Sequence, residues 1–250
     1  NISYNPNGRV HKLLTKLSIE NLFHPFQSFI IGQKNLAPKL SLQFNIPLIF
    51  FGENEAEYGN PMEDTESAKR DWSYFAGSDS SAISLGGTPV SRLQDEFGVS
   101  VADLTPYLPM DPGALEDKNV EVHYLGYYIP WHPQGAYYYA VENGEFQASP
   151  ERTPGTYSKY NSIDDKIDDF HYYTTYIKFG IGRATSDAAH EVREDLINRE
   201  EAVQLVRRYD AEFPKKSFPT FLEYCDFDEE EFWKICERWR NPALWEEKGD

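Results

Sequence analysis

Two stretches of the chain combine residue types able to hold and react with a charged ligand. The first is Gly52-Glu53-Asn54-Glu55-Ala56-Glu57, which follows directly on the apolar run Ile46-Pro47-Leu48-Ile49-Phe50-Phe51. Glycine at the end of a strand permits a tight exit. Glu53, Asn54 and Glu57 then reach the crevice beyond the strand's carboxyl end, where open α/β sheets bind ligands. The helix before that strand opens with Gly32-Gln33-Lys34-Asn35. A helix N-terminus with a lysine favours an anion, so Lys34 joins this group. A solvated acidic loop without a chemical role accounts for the acids equally well.

The second stretch is Lys178-Phe179-Gly180-Ile181-Gly182-Arg183-Ala184-Thr185-Ser186-Asp187. Glycines let backbone N–H groups approach a phosphate and the flanking cations neutralise it, which makes Lys178, Gly180, Gly182, Arg183 and Asp187 candidates for phosphate or substrate binding. The spacing is not that of a Walker A loop. A helix C-cap, a turn and an N-cap at Thr185 or Ser186 explain the glycines but not the two cations. Asp164, Asp165, Asp168 and Asp169 form a third cluster. Carboxylates four apart on a helix suit Mg²⁺, but acids in a first turn also stabilise the macrodipole, and that reading is preferred. His123, His132 and His171 lack metal-ligand spacing, so no residue is assigned to a metal. His190-Glu191, on the helix after Arg183, is a further candidate for proton transfer.

These residues need elements to position them. Val10, Leu13, Leu14 and Leu17 predict a helix over 9–22, and Leu36, Leu40, Leu42 and Phe44 a second over 34–44. The strand at 46–51 lacks polar alternation and is expected to be buried on both faces, as in an α/β unit around a parallel sheet. Residues 60–90 are polar and Gly/Ser-rich, with Trp72, Tyr74 and Phe75 as an aromatic patch. Helix resumes through Val90, Leu93 and Phe97, with a short helical start over Ser100–Asp103. The Tyr- and Trp-dense stretch 120–141, including Trp131, predicts strand or irregular structure. Its rings suit stacking on sugars or bases, or a core with hydroxyls at the rim. The last third predicts helices opened by Ser162 with Asp165, Asn198 with Glu201, and Asp228 with Glu231, the last flanked by Phe227 and Phe232 as a staple. The first of them carries Ile163, Ile167, Phe170, Thr174 and Ile177 to a stop at Gly180. The division expected is 1–150 for the α/β part and 151–250 for a helical region.

Bulk properties narrow the partners. A net charge of −17 over 250 residues argues against non-specific binding of nucleic acid, although a local basic cluster can still hold an anion. Cys225 and Cys236 make neither a disulfide framework nor a metal knuckle. They read as small buried hydrophobes in a cytoplasmic protein. No apolar run reaches the roughly 20 residues a membrane span needs.

Taken in order, "NGRVHKLLTKLSIENLFHPFQSFIIGQKN", "NIPLIFFGENEAEYGN", "YYIPW", "SIDDKIDDFHYYTTYIKFGIGRATSDAAHEVR" and "FLEYCDFDEEEFWKI" resemble the N-acetyl sugar amidotransferase family of lipopolysaccharide and nonulosonate biosynthesis. The resemblance implies a Rossmann-like PP-loop ATP pyrophosphatase domain (adenine nucleotide alpha hydrolase-like), incomplete at the N-terminus, with a C-terminal helical region. Members begin with a Cys-x-x-Cys cluster and a Ser-Gly-Gly-Lys-Asp-Ser phosphate loop. Neither is in this sequence, and Ser84-Leu85-Gly86-Gly87 lacks the Asp-Ser ending. The chain is therefore expected to be the C-terminal two-thirds of such an enzyme and inactive on ATP by itself.

The activity implied is conversion of an acetamido group on a nucleotide-linked sugar to an acetamidino group, using ATP and Mg²⁺. Ammonia is expected from a glutaminase subunit through a cyclase-like partner. The resemblance assigns Glu53 and Glu57 to catalysis, and Lys34, Gly52 and Asn54 to the nucleotide. It places Lys178 and Arg183 against phosphate or the sugar nucleotide. Another PP-loop ligase or thiolase is the nearest alternative, and the absence of a basic stripe weighs against a tRNA substrate. A non-catalytic module that binds a sugar nucleotide or docks partners is the alternative of a different class.

Overall fold

A computed structural model describes residues 1–52, 66–71, 83–130 and 132–246. The fold is mixed α/β and divides into two compact units, Asn1–Leu14 with Gln27–Pro133, and Thr15–Phe26 with Gln134–Asp250. Helix α1 (Gly8–Leu22) contributes to both.

In the first unit, α2 (Gln27–Phe44) starts seven residues earlier than its apolar spacing indicates. Two hydrogen bonds end it: the Ile46 amide donates to the Ser41 carbonyl at 3.0 Å, and Ser41 Oγ to the Ile46 carbonyl at 2.6 Å. The chain then turns straight into β1 (Leu48–Phe51). A link this short folds the strand back along the helix. β1 pairs in parallel with β5 (Glu121–Tyr124), Leu48 opposite Glu121 and Phe51 opposite Tyr124. β2 (Lys69–Arg70) lies antiparallel on the other side of β5, giving the order β1-β5-β2.

Burial of β1 on both faces is not what the structure has. Ile49 is buried with Leu115, Val120 and Val122, and Leu42 of α2 packs on that cluster, whereas Leu48 and Phe50 are each 49% exposed. The helical layer covers one face, and an all-apolar strand does not by itself require a second cover.

β3 (Ser84–Leu85) and β4 (Thr88–Pro89) form a hairpin across Gly86 and Gly87, whose φ values are +58° and +69°. Two consecutive left-handed residues define a type I′ turn. Ser84-Leu85-Gly86-Gly87 is thus a hairpin corner. α3 (Val90–Asp95), α4 (Val101–Leu104, capped by Ser100) and α5 (Pro112–Asp117, capped by Asp111) lead to β5.

The second unit is helical. α6 (Pro133–Gly144) occupies part of the stretch expected to be strand or irregular. Among the described residues of that stretch, strand is confined to β5. Proline at the first helical position outweighs the β preference of the tyrosines that follow. The helix carrying Phe170 begins later than the Ser162–Asp165 pair indicates. α7 covers Asp168–Phe179, and Ser162 has φ +53°, incompatible with an N-cap. Phe170, Thr174 and Ile177 do form its buried face, and Gly180 ends it at φ +71°. Two 11-residue helices follow, α8 (Arg183–Arg193) and α9 (Arg199–Tyr209). α10 (Phe218–Cys225) and α11 (Glu229–Trp239) complete the unit. Both expected capping boxes are formed, Asn198 with Glu201 and Asp228 with Glu231. Phe227 and Phe232 are buried as a staple requires.

The core of this unit is aromatic. Phe170 stacks on Phe221 at 3.9 Å between ring centroids and meets Phe213, Phe218 and Phe232. Ile19, Phe23, Ile177, Cys225, Phe227, Ile235 and Cys236 are buried in the same cluster. Burial pushes the Cys236 thiol up to about 12, so it behaves as a hydrophobe. Among the described residues no helix is long and apolar enough to cross a membrane. Phe170→Ala should cost ~3–5 kcal/mol of stability in urea denaturation. A loss below ~1 kcal/mol would show that the cluster is not the unit's core.

Candidate functional site

The first group of candidates belongs to the α/β unit. Lys34 lies roughly 15 Å back along α2 from Phe44 at the helical rise, and Gly52 roughly 13 Å along β1 from Leu48. With the strand folded back along the helix, these lengths put both towards the carboxyl end of β1. Gly52 forms a bend there, and a Cβ added to it would meet nothing within 4 Å. Glu53, Asn54 and Glu57 lie outside the described residues.

The second group belongs to the helical unit and takes three different roles. Lys178 Nζ donates to the Leu22 carbonyl at 2.8 Å and lies 4.4 Å from the Trp239 ring centroid. It caps the end of α1, and burial lowers its pKa. Gly180 and Gly182 shape the turn between α7 and α8. Arg183 and Asp187 enter a buried polar cluster.

The turn is held by Asp210. Its carboxylate accepts from the Gly182 amide at 2.9 Å, the Thr185 amide at 2.8 Å and Thr185 Oγ1 at 2.7 Å. The geometry follows from chain length. α8 and α9 are equally long and joined by a short connection, so the residue after α9 returns beside the residue before α8. A carboxylate at a helix N-terminus is favoured by the orphan amides and the macrodipole together. The amides that would face a phosphate are therefore taken by the chain's own anion. Gly182 is also required sterically, since a Cβ there would lie 2.7 Å from Asp210 Oδ1 and 2.9 Å from its carbonyl oxygen.

Arg183 is only 6% exposed. Its Nη1 donates to Asp168 Oδ2 at 3.0 Å and to Ser162 Oγ, and the guanidinium lies 4.3 Å from the centroid of Tyr172. Its Nε is buried without a hydrogen-bond partner. One turn on, Asp187 accepts from Thr156 Oγ1 at 2.5 Å. Burial raises the Asp187 pKa against the opposing pull of Thr156, Arg183 and His190. Arg183, Asp187, His190 and Glu191 recur at the spacing of one helix face. Tyr157 and Tyr160 are pushed up by burial and by the charges of Glu191 and Asp187, Tyr160 to about 12. Tyr137 stacks on Tyr160 at 4.5 Å. The cluster thus combines a fixed cation, a carboxylate that holds its proton more readily than usual, and phenols that stay protonated. It offers hydrogen-bond donors and acceptors at one place.

Two further acids of the Asp164–Asp169 cluster already have protein donors. Asp165 accepts from the Ile167 amide at 2.7 Å and Asp169 from Ser217 Oγ at 2.7 Å. With Asp168 given to Arg183, these carboxylates do not present an open Mg²⁺ site. Nearby, Arg152 forms a two-pronged pair with Glu212 at 2.7 Å and donates to the Thr156 carbonyl at 2.5 Å. With Arg208, Tyr209 and Ala211 this pair lines an open groove of about 530 Å³.

Residues 154–249 match the family model of the LPS biosynthesis protein WbpG-like, C-terminal domain. That span contains α7 to α11, the Asp210 cap and the Arg183–Asp187 cluster, and it is less than half of the chain. The match supports a place in lipopolysaccharide biosynthesis. No curated protein matches the chain.

Sequence pattern does not point to Thr156, Tyr157, Tyr172 or Asp210, and it reads Ser162 only as the opener of a helix. Asp210 is 28 positions from Gly182 and carries no local signal. Thr153-Pro154-Gly155-Thr156 has the composition of a turn, which is a local hint of the Thr156 contact. Gly182→Ala should cost ~1–3 kcal/mol through overpacking. Asp210→Ala should cost a similar ~1–3 kcal/mol by depriving three donors of their acceptor. Because the first clash is mainly with the second side chain, the double variant should lose less than the sum in thermal or urea denaturation. Strict additivity would contradict the contact.

Proposed function

We propose that this chain is part of an ATP-dependent amidotransferase that converts the acetamido group of a nucleotide-linked N-acetyl sugar to an acetamidino group, in lipopolysaccharide O-antigen or nonulosonate biosynthesis. The observation that carries the reading is the match of residues 154–249 to the WbpG-like C-terminal domain. The α2–β1 unit ending at Gly52 supports it, because that end suits a nucleotide.

An amide oxygen is a poor leaving group. Transfer of AMP from ATP to that oxygen releases pyrophosphate and makes it a good one. Ammonia then adds to the imidate carbon, the C–O bond breaks, AMP departs and a proton is lost. In this reading Lys34, Gly52 and Asn54 hold ATP, which arrives as its Mg²⁺ complex, with Glu53 and Glu57 at the reacting amide. Arg183 and Asp187 serve the sugar nucleotide, the cation by charge and Asp187 by hydrogen bonding. Ammonia comes from a glutaminase through a cyclase-like subunit. No phosphate step is assigned to the α8 N-terminus, which Asp210 fills.

The protein carrying this chain, given ATP, Mg²⁺, ammonium and a nucleotide-linked N-acetyl sugar, should form AMP and pyrophosphate only when the sugar is present. Mass spectrometry should show oxygen replaced by NH in the product. Glu57→Ala should abolish AMP formation without unfolding the protein, and unchanged turnover would remove that carboxylate from the site. A second reading is favoured by one feature: Gly86-Gly87 is a hairpin corner, and the described residues hold no phosphate loop. In that reading the chain binds a sugar nucleotide without chemistry. Saturable binding with no pyrophosphate under any condition would establish it in place of the first.

A further inference from the structure

His24 and His171 are two half-buried imidazoles that no role described so far uses. His24 lies in the turn that ends α1, where Phe23 has φ +52° and the His24 amide donates to the Ser18 carbonyl at 3.2 Å. His171 is on α7. The rings stand 4.9 Å apart between centroids, tilted by 41°, and Phe26 packs on His171 at 5.6 Å. His171 Nδ1 is shut off from solvent without a hydrogen-bond partner.

The surroundings are positive. Lys178 on α7 caps the Leu22 carbonyl, and Arg238 on α11 donates to the Glu20 carbonyl. Arg183 on α8 is the other cation acting on His171. The carboxylates on α7 are already engaged, Asp168 with Arg183 and Asp169 with Ser217. On the segment itself, Lys16 pairs with Asp226, and Glu20 is the remaining charged side chain. A helix C-terminus favours an imidazolium through its dipole. Here Lys178 and Arg238 already occupy two of the carbonyls that would supply that benefit.

We propose that His24 and His171 form an acid-sensitive latch, in which charging either ring loosens the docking of Thr15–Phe26 on the helical unit. Two imidazoliums in van der Waals range, beside Lys178 and with no carboxylate between them, repel strongly in a low-dielectric setting. Release of the segment hydrates both.

The direction in pH follows from linkage. Burial, then mutual repulsion and Lys178, lower His24 to about 4, and burial with Arg183 lowers His171 to about 4, against 6.5 for a free imidazole. The released state therefore binds more protons below about pH 6.5, and docking weakens as pH falls from there towards 4. Between pH 7 and pH 5 the opening constant should rise by about 20-fold for each imidazole.

Hydrogen exchange at the Phe23 and His24 amides measures this directly, after correction for the intrinsic pH dependence of exchange. Protection should fall at least tenfold from pH 7 to pH 5 in the native protein, while α11 keeps its protection. His171→Phe removes one titrating ring at similar volume and should cut the drop several-fold. A corrected fall of less than about tenfold, or an undiminished drop in His171→Phe, would overturn the latch. Should that variant not fold, NMR titration of the native imidazoles decides. Both titrating below about pH 6 supports the latch, and either titrating at about pH 6 or above overturns it.

Discussion

The helical unit depends on one buried carboxylate. Asp210 closes the gap between the end of α9 and the start of α8 by accepting three hydrogen bonds at once. Without an anion there the two Thr185 donors would have to turn to water and the buried Gly182 amide would be left unpaired, at a combined cost of ~1–3 kcal/mol. Satisfying them from within the chain fixes where α8 begins, and so fixes the direction in which Arg183 leaves the backbone. Everything distinctive about the polar cluster follows from that placement.

Arg183 illustrates how a charge is tolerated inside a protein. A buried guanidinium needs both a counter-charge and partners for its donors. Asp168 supplies the charge, Ser162 a hydroxyl and Tyr172 its negative face. Ser162 adopts a left-handed backbone to do so, a conformation that favours glycine. The strain sits where a helix cap was expected, and it accompanies the hydroxyl's turn towards Arg183.

Much of the helical architecture was legible from local pattern. Asn198 with Glu201 and Asp228 with Glu231 are capping boxes because the chemistry that forms them lies within four residues. Gly180 ends α7 for the same local reason. The reading failed where local signals competed. The tyrosines of 137–139 favour strand by propensity, yet the proline at 133 starts a helix. Apolar residues on both sides of β1 implied two covers, yet burial depends on what packs there.

For the candidate site, residue type was readable and role was not. Lys178 and Arg183 flank the same glycines, and from sequence they form one basic pair. In the structure one caps the end of α1 and the other enters a buried cluster. The sequence by itself determined the capping boxes, the stop at Gly180, the buried face of α7 and the presence of two cations beside two glycines, because each is set within about one or two helical turns. Only the tertiary structure decided that the glycine turn is filled by Asp210, that Arg183 pairs with Asp168, and that His24 meets His171. Those partners are 28, 15 and 147 positions apart, and packing alone brings them together.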